Sequence, residues 1–290
     1  MKAGIVNTGL SLADKGFNPD NCNNYILSIR IAPDGFFYTL FDIDKNKYIQ
    51  LETFSFQGII KDNDWVQTFR TLIDQLPFLL YHYNKIFVAL DFPNPLLVPS
   101  TIYSDETKES LYKYNYYQER NTTLLTDELT NNQAVLIYPL SEVIRVNILE
   151  LFPTALIKHQ SSCLLEQIKQ QLLHNNDSTQ VFIQVNKSSF DLIVFKALQL
   201  TFFNSFRYNS LEDFLYFLLY ALKNLSIDPN TQTVFLLGNI EKNSALVSQL
   251  LKYIRNIDYV DSTTNTDFSY VFEEIDTHQF FNLFNLKNCE

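Results

Sequence analysis

VFIQVNKSSFDLIVFKALQLTFFNSF (181–206) is built from three apolar runs that are separated by short polar turns. Apolar and β-branched residues dominate each run, and each run has the length of a β-strand. The stretch therefore predicts a meander of three antiparallel strands. These strands are expected over residues 181–186, 190–197 and 198–206.

Helix and strand patterns alternate after this meander, which is typical of a mixed sheet covered by helices. The first helix begins with Ser210 and Asp213, whose spacing is that of a capping box. We expect helix over 209–225, a buried strand over 233–239, helix over 243–256, a strand over 257–261 and a closing helix over 272–286.

The same order of elements occurs in the first half of the chain, although the two halves share little sequence. Pro77 should end the first helix of this half, because proline cannot continue an α-helix. The predicted strands cover 25–31, 36–43, 48–56, 85–91, 133–138 and 154–160, and the predicted helices cover 62–83, 139–152 and 161–174.

Three segments fall outside this repeated order. Residues 1–20 are polar and contain three of the six glycines, so we expect a loose leader. Residues 93–132 contain three prolines and a tyrosine-rich stretch, which predicts an insertion with one helix near 104–118. The polar stretch NNDST (175–179) predicts the boundary between two domains.

Composition excludes several classes of protein. Hydrophobic residues make up 46% of the 290 residues and aromatic residues 15%, which excludes a disordered chain. The net charge of −10 argues against a nucleic-acid partner, because acidic proteins repel phosphate backbones. Three widely spaced cysteines, without a CxxC pair, fit a reducing cytosol. We therefore expect a cytoplasmic protein without a signal peptide or a membrane span.

Three stretches carry a family resemblance. The chain resembles the actin-like ATPase superfamily, and within it an uncharacterised bacterial family, in PLLVPSTIYSDE (95–106), LFPTALIKHQ (151–160) and TFFNSFRYNSLEDFLYFLLY (201–220). The resemblance implies an α/β fold of two ribonuclease-H-like domains with mixed five-stranded sheets in the actin-like arrangement. These domains would cover residues 21–174 and 178–290, with the last helix as a candidate to pack back on the first domain.

Active members of the superfamily bind a nucleotide between their domains, with glycine-bearing turns at the phosphates and an acid on the first strand of each domain. In the second half Gln184 stands where the acid is expected, and Asn186, Lys187 and Ser188 replace the glycines. In the first half Ser28 or Arg30 stands at the place of the acid. The candidate nucleotide-binding residues, if binding is retained, are Asp34, Gly35, Lys187, Ser188, Ser189, Asp191, Gly238 and Asn239.

These replacements favour a non-catalytic binding or scaffold protein over an enzyme, because an amide cannot act as a carboxylate base or hold Mg²⁺ strongly. We predict no catalytic residue, no metal site and no cofactor. The alternative is a divergent ATP-binding protein or kinase, in which Lys187 attracts phosphate. A nuclease is disfavoured, since no acid on the first strand pairs with Asp91, which we interpret as a turn residue.

The remaining polar and aromatic residues suggest packing and partner contacts. The four histidines lack metal-ligand spacing, and we expect surface or capping roles for them. Cys163 lies four residues after His159, but a buried structural cysteine is favoured over a nucleophile. A protein partner is predicted at the insertion, where substitution of Tyr112 and Tyr116 should weaken partner capture but not stability. Packing within their own domain is favoured over a partner surface, whose candidate contacts are Tyr112, Tyr114, Tyr116 and Tyr117.

Overall fold

The computed structural model describes residues 4–6, 9–172, 179–260 and 266–289. The predicted domain boundary at 175–178, His174 and parts of the predicted leader lie outside the described residues. The strands are β1 (Gly4–Val6), β2 (Ser11–Ala13), β3 (Tyr25–Ala32), β4 (Gly35–Asp42), β5 (Lys47–Gln57), β6 (Lys85–Leu90), β7 (Leu96–Pro99), β8 (Thr122–Leu129), β9 (Ala134–Ser141), β10 (Leu156–His159), β11 (Thr179–Val185), β12 (Ser189–Lys196), β13 (Gln199–Arg207), β14 (Thr233–Gly238), β15 (Asn256–Tyr259) and β16 (Asp267–Phe268).

Helices connect these strands, together with several short 3-10 turns. The α-helices are α1 (Asp62–Gln75), α2 (Lys108–Asn115), α3 (Glu142–Leu151), α4 (Gln160–Leu172), α5 (Leu211–Asn224), α6 (Ala245–Leu250) and α7 (Phe281–Asn285).

The chain divides into two compact units. Unit 1 contains the described residues up to 166, those of 266–275 and those of 283–289. Unit 2 contains the described residues of 167–260 and of 276–282. The division falls within α4, which continues without a break past residue 166.

Both units contain the same five-stranded arrangement. In unit 1 the order β5-β4-β3-β6-β10 joins an antiparallel meander to two parallel strands. In unit 2 the order β13-β12-β11-β14-β15 has the same pairing directions. The predicted pair of mixed five-stranded sheets is thus confirmed, with three further strands on the sheet of unit 1.

Two of these three further strands lie within the predicted leader. β1 and β2 pair antiparallel with β5, and β16 pairs parallel with it, so Gly4–Val6 and Ser11–Ala13 are sheet strands. The physical reason is that β5 is the outer strand of the meander, and its open edge offers backbone hydrogen-bonding groups that need partners.

The insertion contains more structure than one helix. β7, β9 and β8 form a separate antiparallel sheet, so the strand predicted at 133–138 belongs to the insertion and does not extend the main sheet. β9 continues to Ser141, and α3 starts only at Glu142.

Helix ends follow local sequence signals where such signals are strong. α1 ends at Gln75, two residues before Pro77, as predicted. At the start of α5, Ser210 Oγ accepts the Asp213 N–H at 3.1 Å, and the Asp213 carboxylate accepts the Ser210 N–H at 3.2 Å, which confirms the capping box.

Two predicted helices are shorter than expected. The closing helix predicted over 272–286 is divided into the 3-10 turns Tyr270–Phe272 and Thr277–Phe280, α7, and the turn Leu286–Asn288. The helix predicted over 243–256 ends at Leu250, and the Arg255 N–H donates to the carbonyl of Pro229 at 3.0 Å. This hydrogen bond to a distant residue takes the place of a helical one at Arg255. Apolar periodicity alone does not predict such a tertiary contact.

Candidate functional site

The end of β11 in unit 2 carries a buried amide at the place where the resemblance implies an acid. Gln184 is 5% exposed and lies opposite Asp191 of β12 and Leu237 of β14. Its Nε2 donates to Asn186 Oδ1 at 3.4 Å, while its buried Oε1 has no hydrogen-bond partner in the described part of the chain. Asp191, a predicted site residue, is buried beside it on the same face of the sheet.

The turn that follows Gln184 is a closed hairpin. The Asn186 N–H donates to the carbonyl of Ser189 at 2.8 Å, and the Tyr208 N–H donates to the carbonyl of Ser188 at 3.1 Å. The Tyr208 hydroxyl also donates to the carbonyl of Asn186 at 2.7 Å. Lys187 and Ser188 are exposed at the tip, while Ser189 begins β12. The Asn186 N–H and the carbonyls of Asn186, Ser188 and Ser189 therefore already have internal partners.

Gly238 ends β14 directly beside this hairpin. Its φ is +87°, and a Cβ placed there would lie 2.3 Å from Gln184 Nε2 and 2.3 Å from the carbonyl oxygen of Val185. The N–H of the next residue, Asn239, donates to that same carbonyl at 2.7 Å. The structure therefore groups Gly238, Asn239 and Asp191 with Gln184 at one end of the unit 2 sheet.

The turn after Gly238 is held by the C-terminal segment of unit 2. The carbonyl of Ile240 accepts hydrogen bonds from His278 Nε2 at 2.8 Å and from Gln279 Nε2 at 3.3 Å. Burial lowers the pKa of His278, whose ring lies 4.7 Å from that of Tyr259 between centroids. His278 is 3% exposed, so the surface alternative of the expected surface or capping role is wrong for this histidine. The sequence could not indicate this partner, because it lies 38 residues away.

The corresponding turn of unit 1 contains Asp34 and Gly35. Ala32 pairs directly with Gly35, the Phe56 N–H donates to the carbonyl of Asp34 at 2.8 Å, and Trp65 Nε1 donates to the carbonyl of Ala32 at 3.1 Å. A Cβ at Gly35 would lie 2.6 Å from the carbonyl oxygen of Phe54. The glycine thus permits the close approach of β4 and β5, and the turn is built into the sheet.

Arg30 of β3 is one of the two residues expected at the place of the missing acid in unit 1. Its guanidinium forms an ion pair with Asp91, and its Nε donates to Gln160 Oε1 at 2.5 Å. The guanidinium carbon also lies 4.7 Å from the ring centroid of Phe37. Asp91 is therefore the ion-pair partner of Arg30, which corrects its interpretation as a simple turn residue. Ser28, the other candidate position, is buried, and its hydroxyl has no partner within the described ranges.

A second polar network in unit 1 was not predicted. Asp127 accepts hydrogen bonds from the Tyr138 hydroxyl at 3.2 Å, the Ser162 hydroxyl at 2.6 Å and the His159 N–H at 2.6 Å. The side chains of Asp127 and His159 are buried, so of the two roles expected for His159 the surface role is wrong. The capping role is seen, because His159 directly precedes α4 and its side chain accepts the Ser161 N–H. Two of the partners, His159 and Ser162, are 32 and 35 residues from Asp127, and no local pattern connects them to it.

The hydrogen bonds of His159 define its tautomer. Its Nδ1 accepts the Ser161 N–H at 3.1 Å, so Nε2 carries the proton and donates to the carbonyl of Phe92 at 2.9 Å. Burial lowers the pKa of this imidazole. Cys163 is buried as well, and a hydrogen bond with Cys289 together with desolvation raises the pKa of its thiol. The expectation that Cys163 is buried is thus confirmed.

The described residues contain neither a cluster of metal-ligating side chains nor a membrane-spanning helix. Among the described residues, no three His, Cys, Asp or Glu side chains are grouped so that they could hold a metal ion. No helix in the described ranges is long and apolar enough to cross a membrane.

Known proteins resemble this chain in sequence and in fold. A model of the family described as "Protein of unknown function (DUF3822)" matches residues 14–257. No curated protein matches the chain significantly. A solved structure from Bacteroides thetaiotaomicron VPI-5482, a protein with an actin-like ATPase fold and unknown function, is 22% identical, with a TM-score of 0.75 over 84% of this chain and 93% of that one.

The PilM–PilN type IV pilus biogenesis complex is a second similar structure. It is 12% identical, with a TM-score of 0.65 over 91% of this chain and 98% of that one. The predicted resemblance is confirmed: the chain has the actin-like ATPase fold.

Proposed function

This chain belongs to the DUF3822 family, and we propose that it is a non-catalytic binding or scaffold protein whose nucleotide site is degenerate. The observation that carries the proposal is the ion pair between Arg30 and Asp91. A carboxylate on β3 could bind Mg²⁺ or activate a water molecule. A guanidinium has only hydrogen-bond donors and remains positively charged, so it can do neither. Here the guanidinium also neutralises the acid that follows β6.

Unit 2 supports the same conclusion with different chemistry. Gln184 carries no charge, and the glycine-free turn at Asn186 is closed by the Tyr208 hydroxyl. Side chains at this turn hinder the approach of phosphate oxygens to backbone N–H groups. Lys187 and Ser188 remain exposed at its tip, which is the feature that the alternative of a divergent ATP-binding protein or kinase would use.

Nucleotide titration tests this proposal. Calorimetry with Mg-ATP and Mg-ADP at up to about 1 mM, which detects even weak binding, should show no saturable heat. Binding at micromolar strength would overturn the proposal and favour the ATP-binding alternative. In that event Lys187→Ala, compared with Lys196→Ala at the far end of β12, would establish whether the predicted turn holds the phosphates.

Exposed tyrosines of the insertion are the best candidates for a protein partner. Tyr112 is fully buried, and its hydroxyl donates to the carbonyl of Asn94 at 3.2 Å, while Tyr116 packs against the same cluster. These two residues therefore belong to the insertion core, which corrects the expectation for their substitution. Tyr114 and Tyr117 are 92% and 83% exposed, and we assign the partner contact to them.

The similarity to a solved complex of two proteins, PilM and PilN, supports a protein partner for this fold. The test is affinity capture from the cells that naturally produce the protein, with Tyr114→Ala/Tyr117→Ala as the variant. A specific partner should be lost from this variant at an unchanged melting temperature. The matched control is Tyr216→Ala/Tyr220→Ala, which removes two exposed tyrosines from α5 and should retain the partner. Equal capture by all three proteins would contradict the assignment.

A further inference from the structure

Unit 1 contains a cavity of about 390 Å³ between the small sheet, α3 and β10. Leucine and isoleucine side chains form most of its wall, among them Leu125, Leu140, Leu149 and Ile157. Protein interiors are close-packed, and voids much larger than a water molecule are few. Sites that bind small molecules typically measure about 300–1,000 Å³ and are mostly apolar with a few polar groups.

Most polar groups of the cavity wall already have protein partners. Asp127 and Tyr138 belong to the buried network described above. Arg145 donates from Nε and Nη2 to the two carboxylate oxygens of Glu142, at 2.9 and 2.6 Å. Thr126 interacts with the hydroxyl of Tyr103. These groups therefore shape the cavity but do not require a ligand of opposite charge.

Lys108 differs from them. It is the first residue of α2, lies half-buried at the cavity wall, and forms no ion pair in the described part of the chain. The neighbouring Glu109 carboxylate interacts with it electrostatically but ion-pairs with Lys113. Lys108 and Arg145 are partly exposed and Leu149 of the apolar wall is 38% exposed, so the cavity is open to the surface. A mostly apolar cavity with one ammonium that has no ion pair at its wall is complementary to a molecule with an apolar body and a single anionic head.

We propose that this cavity binds a small amphipathic carboxylate, with its apolar body against the leucine and isoleucine wall and its carboxylate at Lys108. The inference is independent of the protein partner and of the degenerate nucleotide site, because it uses other residues. Lys108→Gln should selectively remove the attraction for the head group. Leu149→Trp should fill the cavity from α3 and exclude the body as well.

Calorimetry with decanoate below its micelle-forming concentration tests the proposal, with methyl decanoate as the uncharged probe. Wild type should bind decanoate at one site and more tightly than the ester. Lys108→Gln should weaken decanoate binding about tenfold or more and leave ester binding unchanged, since a charge-assisted contact is lost. Leu149→Trp should bind neither probe.

Val143→Trp is the matched control, because Val143 is an exposed apolar residue on the same helix and does not line the cavity. It should bind both probes like wild type. Circular dichroism confirms that each variant is folded, and Leu125→Phe replaces Leu149→Trp if the latter is not. Failure of wild type to bind decanoate would overturn the proposal. So would an unchanged preference for decanoate over its ester in Lys108→Gln, or equal binding by wild type and the cavity-filling variant.

Discussion

Gly238 shows how a single residue determines the geometry at the end of the unit 2 sheet. Its positive φ and the 2.3 Å approach of Val185 and Gln184 to a hypothetical Cβ exclude any side chain without rearrangement. We expect Gly238→Ala to lower the free energy of unfolding by about 2–4 kcal/mol, because a left-handed conformation and a steric overlap with backbone act together. Urea unfolding measures this loss.

Gly4→Ala is the matched control for that substitution. A Cβ at Gly4 would meet nothing within 4 Å, and the expected change is within about 0.5 kcal/mol. Equal stability of both variants and wild type would show that the turn after β14 adapts freely. Glycine 238 was expected at a nucleotide turn from its place after a buried strand, but only the structure identifies Gln184 as the side chain that it must accommodate.

The helix α2 shows, at the scale of an element, that a local sequence pattern does not determine tertiary contacts. The tyrosine-rich pattern predicts a helix, yet it does not decide which of its tyrosines are buried. In the structure Tyr112 belongs to the same buried cluster as Val98 and Ile137 of the small sheet. β7 and β9 of that sheet are distant in the chain, so local periodicity does not determine which face of α2 is buried.

Tyr112→Ala should therefore destabilise the insertion by about 3–5 kcal/mol, as expected for truncation of a buried aromatic residue. Tyr114→Ala, two residues along the same helix, should change stability by no more than about 0.5 kcal/mol. Hydrogen exchange of β7, β8 and β9 localises the effect. Similar protection of these strands in the Tyr112→Ala variant and in wild type would show that Tyr112 does not stabilise the small sheet.

The two buried histidines make the stability of the whole molecule sensitive to acid. Burial lowers the pKa of both His159 and His278, one in each unit. An unfolded histidine takes up its proton near pH 6.5, while the folded form remains neutral to lower pH. The contribution of these histidines to the free energy of unfolding is thus fully present above about pH 6.5. It decreases as the pH falls, by up to about 1.4 kcal/mol per pH unit for each histidine.

Urea unfolding between pH 7 and 5 should show this slope, and His159→Gln should reduce it. The amide can still donate to the carbonyl of Phe92, so the slope, and not the absolute stability, is the decisive readout. His82→Gln replaces an exposed histidine and should leave the slope unchanged. An identical slope in His159→Gln and wild type would exclude His159 as a source of the acid sensitivity.

The sequence by itself determined the order of strands and helices, the duplicated mixed sheet and the absence of an acid at Gln184 and at Ser28 or Arg30. Such features depend on residue type and on short-range periodicity, which a linear pattern contains. Only the tertiary structure decided that Arg30 pairs with Asp91, that His159 and His278 are buried, that Tyr112 is core, and that residues before β3 complete a sheet edge. These outcomes depend on contacts between distant segments, whose hydrogen bonds and packing override local preference.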